Sequence, residues 1–497
     1  VDIYPNSPTH TEELIDLIEK NAPGENKDPN TEIIMQLISK HDPSLMLEGV
    51  RYYLNESDIT NRQQYYWRDG KKIIDSEGVK PNNKIPHGWH KLLVDQKTQY
   101  LVGKPITFGS KNKTLLKYVN ELADEEFDDT MNELVKNASN KGIEWLHPFI
   151  NEEGEFDYVI FPAEEIIAVY DNTKSRRLLY AIRYYEIEDF EGNKQKKVEL
   201  YMTEKVYYYV EENGSLIPDY SYGEENPVSY FYTVNKEENT KEGYGWGRVP
   251  LIPFRNNTES VSDLTFYKDL IDNYDRIVSD NANSFDEIQE LIYILRGYNG
   301  EDLSEFVDNL RYYRAVKVDG EGSGVDTLSS DVPIDSADKH LDRLEDNIFR
   351  FGQGVNNSPD KFGNSPSGVA LENLYTLLDL KANAAERKFR KALQEFFWFF
   401  TEFLRIKKMG DFDYKEIQMT FNRTKITNQL EKVQMINQSP DLSRETRIAH
   451  HPFVDDVEAE LERIEDETAE YGKTLSSLAA ADDQTEDEEG GDEDESE

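Results

Sequence analysis

From Val369 to Met409 the chain runs without a single Gly or Pro. Along it, apolar residues recur at steps of three and four: Leu371, Leu374, Leu378, Ala382, Ala385, Phe389, Ala392, Phe396, Phe399 and Phe403. That period is helical, and a straight helix over this span would be about 60 Å long at ~1.5 Å per residue. A usual globular helix has roughly 11 residues, so this one implies a large scaffold or an oligomer. Its end, "FFWFFTEFL" (Phe396 to Leu404), is too short for a membrane span and contains Glu402, so apolar packing on all sides is expected.

Just upstream lies "FGQGVNNSPDKFGNSPSG", Phe351 to Gly368, rich in residues that favour turns. Before it, Ala337, Leu341, Leu344, Ile348 and Phe351 form a single apolar seam on a helix from about Asp335 to Arg350. A lone seam needs a partner. The obvious candidate is a helix from about Glu259, whose stripe is Val261, Leu264, Tyr267, Ile271, Tyr274 and Val278. Between the two, residues 280–332 read as a small α/β insert. It holds the helices "SFDEIQELIYILRGY" and "LSEFVDNLRYY" and a strand pair around "RAVKVDGEGSGVDTLSS". The polar loop is terminated at both ends. Gly352 or Gly354 suits a helix C-cap, and Ser365 before Pro366 suits the next N-cap.

The first part of the chain is helical in pattern. "TEELIDLIEK", "TEIIMQLISKH" and "PSLMLEGVRYYLNES" come first. In "HGWHKLLVDQKTQYLVGKPITF", Leu92, Leu93, Gln96, Tyr100 and Leu101 lie near helical spacing. Two short helices follow in "NKTLLKYVNELADEEFDDTMNELVKNASNKG". Near Ile143 the texture changes to Tyr-rich strands with Gly, Asn and Asp turns, a meander or mixed sheet reaching about Phe254. The chain closes with further helices and an acidic tail, expected to be disordered.

With 497 residues, 30 Tyr and 23 Phe, the body is expected to be globular and of several domains. The start, "VDIYPNSPTHTEEL", does not read as a secretory signal. Cys is absent, which removes disulfides, thiolate metal ligands and Cys nucleophiles and fits a cytosolic origin. The formal net charge is −43. Of this, 11 acidic residues without a basic one lie in Asp482–Glu497, leaving −32 on the body (−43 plus 11). Such a chain should not grip DNA by the usual Lys/Arg neutralisation of phosphates. It is compatible with a surface that tolerates a polyanion nearby, or simply with solubility.

No catalytic pattern emerges. Gly472-Lys473-Thr474 has Glu467 where a P-loop needs its first Gly. His87 and His90, and His450 and His451, lack the spacing of H-E-x-x-H, so structural histidines are expected. "DEEFDD" (Asp124 to Asp129) reads as a solvated acidic face rather than a cation site. No G-x-S-x-G elbow is present. No cofactor, metal or catalytic residue is therefore expected. Two other readings remain: a nucleic-acid-processing enzyme with a carboxylate metal site, or an acidic scaffold or chaperone.

The order of parts, together with "HKLLVDQKTQYLVG", "GEFDYVIFPAEE", "GWGRVPLIPF", "VSDLTFYKDLIDNYD" and "LENLYTLLDLKAN", resembles the portal protein (head–tail connector) of tailed bacteriophages. The resemblance is to the family of long-tailed phages of Bacillus-like hosts and spans nearly the whole chain.

The resemblance implies an α+β, mainly helical fold that assembles into a ring with an axial channel. Its parts would be a wing (1–258), a stem helix (259–279), a clip (280–334), a second stem helix (335–352), a tunnel loop (353–368), a long wing or spine helix (369–409), a crown (410–475) and a disordered acidic tail (476–497). The stem seam would be Leu341, Leu344 and Ile348. The loop residues Gln353, Gly354, Val355, Asn356, Asn357, Ser358, Pro359, Asp360 and Lys361 would face double-stranded DNA without reading its sequence. The implied partners are about a dozen copies of the chain itself, the terminase large subunit, a head-completion or adaptor protein, and the major capsid and scaffolding proteins, with no membrane. The implied location is the portal vertex of the virion, and the host cytoplasm during assembly.

Overall fold

The computed structural model describes residues 30–468, apart from 69, 77, 79, 172–176, 222, 236–239, 289–291, 297–323, 329–333, 357, 359–367, 425–428, 455–456, 458–459 and 462. The expectations for Thr11–Lys20, "LSEFVDNLRYY", Ser365, Pro366, Gly472–Thr474 and the acidic tail lie outside these residues. The chain divides into two compact units: 1–357 with 375–424, and 358–374 with 425–497.

In the first unit, helix α1 (Thr31–Lys40) starts where the Asn30 side chain accepts a hydrogen bond from Glu32 N–H at 3.0 Å. Its Ile34, Leu37 and Ile38 pack on one face of a sheet made of Ile166–Tyr170, Leu178–Glu188, Lys194–Tyr201, Lys205–Glu212 and Ser215–Pro218, with Val228–Ser229 added. Every pairing in it is antiparallel and each long strand pairs with its sequence neighbour, so the sheet is a meander. Period-two alternation explains how it is covered on both faces. Ile182, Val198 and Leu200 face α1, while Ala181, Tyr201 and Val206 face a second cluster containing Trp145, Phe161 and Leu251.

Helices α2 (Ser44–Tyr53), α3 (Trp89–Val102), α4 (Lys113–Leu122) and α5 (Glu125–Lys141) precede the strands. The acidic run at 124–129 is the start of α5. The Asp124 side chain accepts from Phe127 N–H at 3.1 Å, and Glu125, Glu126 and Asp128 fill the first turn, where carboxylates favour the positive end of the helix. Gly142 ends α5 at φ 91° and turns the chain into strand Ile143–Ile150. That strand pairs on one side with Ile252–Arg255 and on the other with Phe156–Phe161.

The two seam helices are α6 (Lys268–Ile288) and α7 (Ile334–Phe351), and they pack on each other. The α6 helix begins later than its stripe suggests. Ser260 has φ 56°, and Asn257 bonds to both backbone groups of Val261, so the chain turns here before the short helix Asp263–Phe266. At its other end α6 continues to Ile288. Residues 292–296, read from sequence as helix, form strand Ile292–Arg296, antiparallel to Gly324–Leu328. Its Ile292, Tyr293 and Ile294 have high strand propensity, and the first half of the strand pair expected around "RAVKVDGEGSGVDTLSS", residues 314–323, lies outside the described residues.

Helix α8 (Gly368–Ile406) is 39 residues long. Within the first unit its stripe is buried as the spacing predicts: Leu378, Ala382, Ala385, Phe389, Ala392, Phe396, Phe399 and Phe403 all belong to the core. Phe396, Phe397 and Phe400 are also enclosed, by edge-on contacts with Phe108, Phe156 and Tyr158, and Arg248 lies 3.8 Å above the Trp398 ring. Among the described residues no helix is long and apolar enough to cross a membrane.

In the second unit, the described parts are Ser358, the first turns of α8, helices α9 (Gln429–Asn437) and α10 (Arg444–Ala449), and short stretches to residue 468. The Ser443 side chain caps α10, accepting from Thr446 N–H at 3.2 Å.

Candidate functional site

The polar loop leaves the end of α7 through a specific cap. Gly354 N–H donates to Phe349 O at 2.9 Å and Gln353 N–H to Arg350 O at 3.3 Å, the paired bonds of a Schellman motif. The left-handed residue in it is Gln353, at φ 54°, and neither of its glycine neighbours. Those glycines serve another need. A Cβ on Gly352 would lie 2.5 Å from Leu93 Cδ1, and one on Gly354 would lie 2.3 Å from Leu93 Cδ2. Close approach to α3 therefore selects Gly on both sides of the turn.

Two side chains from elsewhere in the fold, and one of the turn's own, hold it in place. The Gln96 amide, on α3, donates to Val355 O at 2.8 Å and accepts from Val355 N–H at 3.0 Å. Lys381, on α8, donates to Gly352 O at 2.9 Å. Asn356 donates back to Glu345 Oε1 of α7 at 3.1 Å. Val355 itself is buried.

Lys381 also belongs to a buried charge cluster. Its ammonium is 3.0 Å from Asp263 Oδ2, and that of Lys97 is 3.1 Å from the same oxygen. Asn256 donates to Asp263 Oδ1 at 2.8 Å and accepts from Lys97. Burial would push the Asp263 carboxyl upward, but Lys381 and Lys97 outweigh it and hold it well below the usual carboxylate range. Burial lowers Lys97 to about 8 against the pull of Asp263. Beside it, His90 bonds Tyr267 OH at 2.8 Å, and burial lowers it to about 4. The cluster thus ties α3, the entry to α6, and α8 to the exit from α7.

Helix α6 is fixed along one side by a ladder of polar contacts to residues 52–87. Asp272 accepts from Tyr52. Asp275 accepts from Ser57 Oγ at 2.5 Å and from His87 Nδ1 at 2.8 Å. Further along, Ser279 Oγ accepts from Ile85 N–H at 3.1 Å and Asn283 Oδ1 from Asn83 N–H at 2.7 Å. These positions recur at three and four, so α6 carries a polar stripe beside its apolar one. His87 and His90 are each engaged inside the fold through Nδ1, His87 with Asp275 and His90 with Tyr267 OH.

The site residues read from sequence fall into three groups. Gln353, Gly354, Val355 and Asn356 form the turn just described. Ser358 is half-buried and lies in the second unit, while Asn357, Pro359, Asp360 and Lys361 lie outside the described residues. In the seam, Ile348 and Leu344 are buried and Leu341 is half-buried. Phe351 is not part of it: it is 54% exposed, and Phe349 is buried among Leu93, Tyr267 and Ile271 in its place. Lys97, Asp263, Lys381 and Glu345 were not singled out from sequence. A signal existed for Lys97, which shares the buried face of α3 with His90, Leu93, Val94 and Leu101. A Lys on an apolar stripe implies a buried partner. Among the described residues no group of three or more His, Cys, Asp or Glu side chains forms a candidate metal site.

Helices seamed together around a firmly rooted polar loop, beside a long aromatic-lined helix and a Tyr-rich meander, agree with what the sequence resembles. The phage portal protein family, SPP1 Gp6-like, matches residues 38–474, and the chain belongs to that family. It is 52% identical to the portal protein of Bacillus phage SPP1 over 500 residues, covering 99% of this chain and 96% of that protein. It is 33% identical to the portal protein of Clostridium phage phiCD119 (strain Clostridium difficile/United States/Govind/2006) over 430 residues, covering 83% of this chain and 90% of that protein. The chain functions as a phage portal protein and is a capsid-associated oligomeric component of the virion.

Proposed function

We propose that about twelve copies of this chain form a ring around an axial channel at one capsid vertex, through which double-stranded DNA is packaged and later ejected. In this reading residues 1–258 are the wing, the helices within 259–279 and 335–352 the stem, 280–334 the clip, 353–368 the tunnel loop, 369–409 the spine helix, 410–475 the crown and 476–497 an acidic tail. The clip docks the terminase large subunit during packaging and a head-completion or adaptor protein afterwards. Scaffolding and major capsid proteins surround the ring during assembly in the host cytoplasm. The chain catalyses nothing and holds no cofactor; ATP hydrolysis belongs to the terminase.

One observation carries the role of the loop. A polar, nearly uncharged segment leaves a rigid helical pair through a turn gripped by α3, α7 and α8. Repeated around a ring, such loops form a collar that meets phosphates through weak, sequence-blind hydrogen bonds. An acidic body lets DNA slide, because tight phosphate binding would stall it. The test is to make Asn356→Ala with Asn357→Ala and measure DNA packaging and retention in assembled particles. Reduced packaging or retention with intact rings is expected; unchanged values for both would sink the role of the loop. Negative-stain images of the purified protein test the ring itself, and monomers with divalent-dependent nuclease activity would overturn it.

A further inference from the structure

We propose that Lys381 and Gln96 are positioning residues for the polar loop: they lock its root to α8 and α3, so that the loop, the entry to α6 and the exit from α7 move as one piece. The inference rests on the reading of that loop as the DNA-facing element, and it goes further by assigning how its position is set.

The geometry is specific to the loop root. Lys381 bridges the two ends of the helical pair, reaching Asp263 just before α6 at 3.0 Å and the Gly352 carbonyl just after α7 at 2.9 Å. Gln96 engages the N–H and the C=O of a single residue, Val355, which fixes the orientation of that peptide as well as its distance. The next residue along α3, Lys97, holds the same Asp263 from the other side. Leu93, one turn earlier on α3, lies against both cap glycines with no room for a Cβ.

Stability alone would not call for this arrangement. A buried lysine pays a desolvation penalty that an apolar side chain of similar volume avoids. Here the lysine and the glutamine direct their donors at backbone carbonyls of the turn itself. Satisfied buried polar contacts of this kind specify one arrangement over its neighbours. A load applied to the loop is passed through Gly352 and Val355 into α8 and α3, and through Asp263 to the entry of α6.

The chain contains no Cys, so Asn356→Cys gives a unique attachment point for a nitroxide label. Leu54→Cys, at a 63% exposed position, serves as control. The measurement is label mobility by electron paramagnetic resonance in the full-length purified protein. Lys381→Met and Gln96→Leu should each shorten the correlation time at position 356 by about twofold or more, a change on the nanosecond scale of loop motion. The control should stay unchanged, and Lys381→Arg, which keeps the charge and has donors enough for both Asp263 and the Gly352 carbonyl, should restore the native value. Unchanged mobility at 356 in both variants overturns the proposal, as does equal loosening at 54, which signals general destabilisation. If Lys381→Met fails to fold, Gln96→Leu decides alone, since it leaves no charge unpaired. Packaging is measured separately in the unlabelled variants. Fewer DNA-filled particles at an unchanged number of ring-containing procapsids is expected. A looser position 356 with normal packaging would support positioning and defeat only the DNA-facing reading of the loop.

Discussion

The Gln96 side chain hydrogen-bonds to both backbone polar groups of Val355, at 2.8 and 3.0 Å, across 259 positions of sequence. It acts as a one-residue strand partner for a chain that has just left a helix. Replacing it by Leu leaves a buried donor and a buried acceptor unpaired, which costs about 1–3 kcal/mol for each group so stranded. In hydrogen exchange, the Val355 amide should lose protection in Gln96→Leu while amides in the middle of α8 keep theirs.

The cap makes an inverted prediction about glycine. Gly354→Ala drives a Cβ to 2.3 Å from Leu93 Cδ2 and 2.9 Å from Gln96 Oε1, and should destabilise by about 1–3 kcal/mol, as other overpacked sites do. Gln353→Gly relieves a left-handed residue worth roughly 1–2 kcal/mol. It adds about 0.5–1 kcal/mol of unfolded-chain freedom, so it should fall within about 1 kcal/mol of the parent. Denaturant midpoints at matched protein concentration give both values.

The seam separates Ile348 from Phe351. Ile348 is fully buried between Leu93, Tyr267 and Ile271, so Ile348→Ala should cost about 2–5 kcal/mol. Phe351 is 54% exposed, and in the isolated subunit Phe351→Ala should change stability by about 0.5 kcal/mol or less. Thermal unfolding of both variants checks the ordering.

Mild acid should destabilise this fold through its buried histidines. Burial lowers His90 and His147 from 6.5 to about 4, so between those values the unfolded chain binds protons that the folded chain refuses. Stability therefore falls as pH drops from 6.5 to 4, by up to about 3 kcal/mol for each histidine. Glu144 opposes this. Burial raises it to about 7, so the folded state holds a proton between 7 and 4.5 that the unfolded state has lost. Denaturation followed from pH 7 to 4 should show a net loss. The loss should be smaller in His147→Gln, where the ring that bonds Pro250 O at 2.6 Å is gone, and larger in Glu144→Gln.

Much of the architecture was legible because it is local. The three-and-four spacing of α8 marks the face that is buried from Leu378 to Phe403, and the period-two Tyr-rich strands mark a sheet covered on both faces. The loop was visible as a break between two periodic helices. Its anchors were not: Lys381 looks like an ordinary helix-surface residue until the fold brings it to Asp263 and the Gly352 carbonyl, and the apolar setting of Lys97 signals a buried partner without saying which.

Local pattern could not locate the start of α6, since Val261 and Leu264 continue its stripe while Ser260 at φ 56° and the Asn257 contacts turn the chain. Nor could it show that Ile292–Arg296 is a strand, because its partner Gly324–Leu328 lies a long insert away. Residue spacing carries the periodic burial of helices and strands, since each residue faces the core at a fixed step from the last. The pairing of buried charges around Asp263, and the grip of Gln96 and Lys381 on the loop root, depend on which distant segments meet. That follows only when desolvation in the assembled core forces every polar group to find a partner.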